Sequence, residues 1–142
     1  MLKNRLMGFI LGMVFMVLPG TLWAEEFQLP PIKQSQAYQQ YALRDSKTEL
    51  SKLLYLMDRY RQTPYIIHYE GHDYDAQAAL MQARKYVAKN YQKEPAEEFI
   101  RVHAYRPKIG SSILYVKYPD GQTVLLRDIL LAELQALESL EK

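Results

Sequence analysis

The chain has 142 residues, a formal net charge of +2 and no cysteine. This length allows one domain with its own hydrophobic core and argues against two. The absence of cysteine excludes disulfides, a thiol nucleophile and a lipid-modified cysteine, and the small net charge gives no reason to expect nucleic acid as a partner.

The first 24 residues have the layout of a secretory signal peptide. Lys3 and Arg5 precede the apolar run 6–18, and Ala24 stands before two glutamates. A run of this length suits a signal core and is shorter than the ~20 residues that span a bilayer. We therefore predict cleavage after Ala24 and a periplasmic protein. The alternative is an uncleaved inner-membrane anchor formed by residues 6–23.

Residues 25–45 are predicted to be an N-terminal tether with a weak helix. Pro30 and Pro31 prevent regular structure locally. The polar, glutamine-rich run that follows has weak helical character from Ser35 to Leu43. We therefore place the single folded domain at residues 46–142.

The first helix of this domain is predicted from a capping signal followed by an apolar stripe. Ser46 and Glu49 have the spacing of a capping box. Apolar residues then recur at i, i+3, i+4 and i+7, which predicts one buried helical face. They are Leu50, Leu53, Leu54 and Met57. Pro64 is expected to end the helix. Charged residues are expected on the opposite, solvent-facing side. They are Asp58, Arg59 and Arg61.

The stretch YIIHYEGHDY, residues 65–74, predicts a β-hairpin. Glu70–Gly71 stands at its centre, where glycine supplies the positive φ of a two-residue turn. In that register Tyr69 faces His72 and His68 faces Asp73, and the two histidines are expected to be diagonal neighbours.

A helix is predicted directly after this hairpin, over residues 76–93. Asp75 is well placed to cap its N-terminus. One face of the helix is apolar and is expected to point toward the core. The residues on that face are Ala79, Leu80, Ala83 and Val87.

A second series of helix, hairpin and helix follows. Pro95 suits a first helical position. Residues 113–118 and 122–124 predict two strands, joined at the turn Pro119–Gly121. A leucine-rich stripe predicts a final helix over 126–140.

The order of these elements predicts an α+β fold. An isolated hairpin is marginally stable in water, so both hairpins are expected to form one small antiparallel sheet of about four strands. Three to four helices would then cover one face of the sheet.

The stretch PAEEFI and the two glycine turns, taken in this order, resemble the YfeK-like family of small exported bacterial proteins of unknown function. The resemblance covers residues 49–140 and implies export and a shared fold, but no established activity. The matching residues are Glu49, Leu53, Leu54, Gly71, Tyr74, Ala96, Glu97, Phe99, Ile100, Gly110, Tyr115, Asp120 and Gly121.

His68 and His72 are the candidate metal ligands, because both lie beside carboxylates in the first hairpin. A zinc ion needs three or four ligands at ~2 Å, and only two histidines are local. The favoured interpretation is therefore a solvated turn without metal or other cofactor. The alternative is a metal-dependent or hydrolytic periplasmic enzyme that uses this hairpin.

The candidate binding residues lie on the hairpins and on a basic loop around Gly110. Tyrosine combines an apolar ring with a polar hydroxyl, which suits a binding face, and we expect this face to be the one that the helices leave uncovered. Basic and hydroxyl side chains near a glycine favour an anion-binding concavity. The residues singled out are Tyr69, Gly71, Tyr74, Arg106, Lys108, Ser111 and Tyr115.

Together these observations predict a periplasmic, non-enzymatic binding or interaction module of the bacterial cell envelope. The expected partner is a protein or another envelope component. No nucleic acid is expected, and the membrane is a partner only if the signal segment stays uncleaved.

Overall fold

The computed structural model describes residues 27–108, 110 and 112–142, and within them it confirms the α+β fold. The helices are α1 Gln36–Ala42, α2 Glu49–Tyr60, α3 Ala76–Asn90, α4 Ala96–His103 and α5 Leu126–Ser139. The strands are β1 Ile66–Tyr69, β2 His72–Asp75, β3 Tyr115–Lys117 and β4 Thr123–Leu125. The predicted signal peptide, residues 1–24, and the alternative anchor lie outside the described residues.

The four strands form one antiparallel sheet in the order β2-β1-β3-β4, so the two hairpins meet through their first strands. The first hairpin has the predicted register, with Tyr69 opposite His72 and His68 opposite Asp73. Glu70 and Gly71 have φ values of 50° and 75°. A type I′ hairpin turn has positive φ at both central positions, and its twist matches that of the strands.

The first strand of the second hairpin is shorter than predicted, and the second strand is displaced by one residue. Its turn closes when the Gly121 amide donates to the Tyr118 carbonyl at 2.9 Å, with φ of 89° at Gly121. The Leu114 amide donates to the Tyr105 carbonyl at 3.0 Å, outside the sheet. The first strand therefore starts at Tyr115 rather than two residues earlier.

Helix α2 begins two residues later than predicted. Thr48, not Ser46, is the N-cap, and its hydroxyl accepts from the Ser51 amide at 3.2 Å. The Glu49 carboxylate accepts from the Ala96 amide at 2.9 Å. That amide belongs to the first turn of α4, whose N-cap Pro95 makes no side-chain capping bond. Glu49 thus satisfies a free helix-terminal donor on another helix.

The buried face of α2 is rotated relative to the predicted stripe. Leu53 and Leu56 are buried, whereas Leu50 is 37% exposed. Arg59, predicted to face solvent, is buried, and its Nε donates to Glu133 Oε1 at 2.6 Å. The Tyr55 hydroxyl donates to the same oxygen at 2.9 Å.

The N-terminal segment explains this rotation, because it packs on α2 instead of forming a tether. Helix α1 buries Ala37 and Tyr41, which lie four residues apart on one helical face. Ser35 caps it by accepting from the Tyr38 amide at 3.1 Å. The Pro30 carbonyl accepts from the Arg59 guanidinium at 2.6 Å. The tether prediction is therefore wrong for residues 30–42, although the weak helix within it is confirmed.

The interior has two unequal parts. In the first, which we call the helical core, α1, α2, α4 and α5 bury large side chains against one another. In the second, the open half, the sheet and α3 pack less closely. Val116 is the only fully buried strand residue that the structure describes, and Val87 is the only buried residue of α3.

Candidate binding cavity

A cavity of about 460 Å³ lies between the inner face of the sheet, α3 and the helical core. Its volume falls within the range of about 300–1,000 Å³ that is usual for small-molecule sites. The helical core supplies its floor through side chains such as Leu53, Leu56 and Ile100. The space is open to solvent on one side, because most wall residues of the sheet and α3 are only half-buried.

The wall formed by the sheet follows from strand alternation. Every second residue of a strand points to the same face, so Tyr65, Ile67 and Tyr69 point inward together. Tyr74 and Val116 lie opposite Ile67 on the neighbouring strands and therefore share its face. All five side chains line the cavity.

The wall formed by α3 follows from its predicted apolar face. Ala79, Leu80 and Ala83 lie on the inward face of the helix, as predicted, and line the cavity together with Tyr86. Asp75 caps this helix as predicted, accepting from the Ala78 amide at 2.7 Å. Since alanine side chains are short, this face borders the sheet without filling the space between them.

A polar cluster marks one part of the cavity wall. The Tyr86 hydroxyl lies 2.5 Å from His103 Nδ1 and accepts from the Lys108 amide at 3.1 Å. The hydroxyl oxygen has two lone pairs, so while it accepts from this amide it can either donate to Nδ1 or accept from an Nδ1–H, and the tautomer of His103 sets which group donates. Burial, and secondarily the Lys108 ammonium, lowers the pKa of His103 below its ordinary value of 6.5 and favours the neutral imidazole.

Tyr69 belongs to the same region. Its hydroxyl is buried and has no hydrogen-bond partner of adequate geometry among the described residues. Burial, followed by the nearby Glu70 carboxylate, raises the pKa of Tyr69. A Cβ at Gly110 would overlap both the Tyr69 hydroxyl and the Glu70 carboxylate, so the close approach of this loop requires glycine.

A group of aromatic rings forms another part of the wall. The Tyr60 and Tyr65 rings line the cavity with their centroids 6.2 Å apart. Tyr65 also packs edge-on against Tyr118 at 4.8 Å and against Phe27 at 5.7 Å. Burial, and then the Glu133 carboxylate, raises the pKa of Tyr60, so its hydroxyl stays neutral at physiological pH.

The described cavity wall contains no aspartate, glutamate, lysine or arginine. Its polar groups are tyrosine hydroxyls, one threonine, one glutamine and the neutral His103. Since a buried charge without a partner is very costly, this wall suits an uncharged ligand.

The structure separates the predicted binding residues into three places. Tyr69 and Tyr74 line the cavity, on the face that the helices cover rather than on the uncovered face where we expected them. Tyr115 lies on the opposite face, beside His68. Gly71 forms the first turn, Arg106 and Lys108 are exposed, and Ser111 lies outside the described residues.

The two histidines of the first hairpin lie on opposite faces of the sheet, so the prediction that they are diagonal neighbours is wrong. Residues paired across strands share a face, and His72 pairs with Tyr69 whereas His68 pairs with Asp73. His68 Nδ1 lies 2.6 Å from Asp73, and Lys117 Nζ lies 3.1 Å from the same oxygen. The described residues contain no group of three or more metal-ligating side chains.

Sequence reasoning did not single out Tyr86 and His103 as site residues. Both had a usable signal, because Tyr86 continues the Ala79–Ala83 face and His103 follows Phe99 by one helical turn. The contact between them could not be inferred, since it depends on how α3 packs against α4.

Comparisons of the chain with models of protein families, with curated proteins and with solved structures found no match. Among the described residues, no helix is long and apolar enough to cross a membrane.

Proposed function

We propose that the protein is an exported, non-enzymatic binding module of the bacterial cell envelope that takes up an apolar small molecule in the cavity of its open half. The observation that carries this proposal is the cavity of about 460 Å³ with apolar walls. The predicted signal peptide and the YfeK-like resemblance support export.

The energy of an empty cavity favours an occupant. Because the cavity is open to solvent on one side, water enters it, and this water faces apolar walls and few polar partners. A small molecule that displaces this water removes apolar surface from it, which is favourable by about 25 cal/mol per Å².

The geometry also favours binding at the cavity over binding on the outer face of the sheet. The outer face carries ion-paired side chains, including His68, Asp73 and Lys117, which water solvates well. The cavity instead exposes apolar and aromatic groups that gain free energy when a ligand covers them.

Titration with N-phenyl-1-naphthylamine, a neutral aromatic dye that fluoresces in apolar sites, tests the proposal. We expect saturable binding to the wild type and about tenfold weaker binding, or none, to Ala83→Phe, whose new ring would occupy the cavity. Ala88→Phe is the matched control, because Ala88 is exposed on the same helix. Equal binding to all three proteins, or no saturable binding to the wild type, would overturn the proposal.

Export is tested separately by fractionation and intact-mass measurement. We expect the protein in the periplasmic fraction with a mass that begins at Glu25. A membrane-bound protein that keeps its first 24 residues would instead support the anchor formed by residues 6–23.

A further inference from the structure

The character of the cavity wall narrows the class of ligand. Six aromatic residues contribute rings to it, in addition to the His103 imidazole. They are Tyr60, Tyr65, Tyr69, Tyr74, Tyr86 and Phe99. Aromatic rings bind other rings edge-to-face or offset, with a gain of roughly two- to tenfold in affinity per pair over burial alone. A wall this rich in rings favours a ligand that is itself a ring over a saturated chain.

The charge of the wall gives a second restriction. Among the described residues, every side chain that lines the cavity is uncharged at neutral pH. The ionised group nearest to Tyr69 is the Glu70 carboxylate, which would repel an anionic head group there. A cationic head group would have no carboxylate within the described wall to pair with, and only contacts with ring faces would offset its desolvation cost.

We infer that the ligand is an uncharged aromatic ring. This inference rests on the proposed function and specifies the ligand for the same cavity. It assigns the aromatic rings of the wall to the ring of the ligand. The polar cluster of Tyr86 and His103 keeps its own internal hydrogen bond.

Three competitors of similar size test the inference by displacing N-phenyl-1-naphthylamine. They are 2-acetylnaphthalene, a neutral aromatic ketone; 2-naphthoate, which has the same ring and a negative charge; and dodecan-2-one, a neutral saturated ketone. We expect 2-acetylnaphthalene to displace the dye at a concentration about tenfold lower than either of the others. Stronger displacement by 2-naphthoate or by dodecan-2-one would overturn the inference and leave the proposed function standing.

If N-phenyl-1-naphthylamine itself does not bind the wild type, the proposed function fails as well.

Discussion

The helical core and the open half both turn apolar residues inward but bury them to different extents. In the helical core, Tyr41, Tyr55 and Leu137 are at most 2% exposed. In the open half, Ile67, Leu80 and Ala83 point inward yet remain half-buried around a cavity. The difference shows that an inward-facing apolar pattern does not by itself produce close packing.

The side chains on each side explain the difference. Helices of the core interlock large residues and tie them with polar contacts, such as the Arg59–Glu133 pair and the hydrogen bond from Tyr41 to Glu141. The face of α3 offers alanines at positions 79 and 83, whose short side chains leave the space between this helix and the sheet unfilled. In the proposed function, the helical core stabilises the fold and the open half binds the ligand.

The largest expected effect comes from breaking the ion pair in the helical core. Arg59→Ala leaves the Glu133 carboxylate largely buried without its cation, so we expect a loss of about 3–5 kcal/mol in the free energy of unfolding. Urea denaturation measures it. Arg84→Ala is the control, because its pair with Asp58 is largely exposed on the arginine side, and we expect a loss below about 1 kcal/mol. Equal losses would contradict the role given to Arg59.

Truncating one leucine in each region sharpens the comparison. Leu137→Ala, at a fully buried site, should cost about 2–5 kcal/mol, because it creates a new cavity. Leu80→Ala should cost less than about 1.5 kcal/mol, since its side chain already borders open space. Urea denaturation of both variants checks this. A cost at Leu80 that matches the cost at Leu137 would mean that the open half is packed as closely as the core.

Enlarging one alanine in each region makes the reverse test. Ala37→Phe should cost about 1–3 kcal/mol or more, because its ring has no space in the helical core. Ala83→Phe should change the free energy of unfolding by less than about 1 kcal/mol, because the space for its ring already exists. Thermal and urea denaturation would show the contrast, and a stable Ala37→Phe beside an unstable Ala83→Phe would reverse it.

The smallest expected effect is a pH dependence from His103. Its pKa is lower in the folded than in the unfolded protein, so the unfolded chain binds more protons as the pH falls below about 6.5. The stability from neutral His103 is full above that pH and is lost as the pH falls toward the folded pKa. Melting temperatures between pH 7 and pH 5 should therefore fall less in His103→Gln than in the wild type. His68→Gln is the control, and the same slope in His103→Gln as in the wild type would contradict the assignment.

Local features of the fold could be predicted from the sequence. The Glu70–Gly71 turn, the register of the first hairpin and the Asp75 cap each depend on a few neighbouring residues, and all are confirmed. The four-stranded sheet could also be predicted from the sequence, because two hairpins that are each marginally stable are more stable when they pair. The final helix begins at Leu126 as predicted.

Features that depend on distant contacts could not be predicted. Arg59 is buried by contacts with Pro30 and Glu133. The helical periodicity of α2 predicts neither contact, because both partners lie far away in the sequence. The alternation of Tyr65, Ile67 and Tyr69 defines one face but not whether helices cover it. The cavity exists because the inward faces of the sheet and α3, although correctly predicted, do not pack closely against each other. No local sequence pattern predicts such a gap.

The most direct test of the account is a methyl NMR titration of the whole protein with N-phenyl-1-naphthylamine. The account predicts saturable shifts of the Ala79, Leu80, Ala83 and Ile67 methyl groups around the cavity. Methyl groups of the helical core that lie away from it, such as those of Ala37 and Leu137, should not shift. Shifts confined to the outer face of the sheet, or spread evenly through the helical core, would contradict the assignment of binding to the open half.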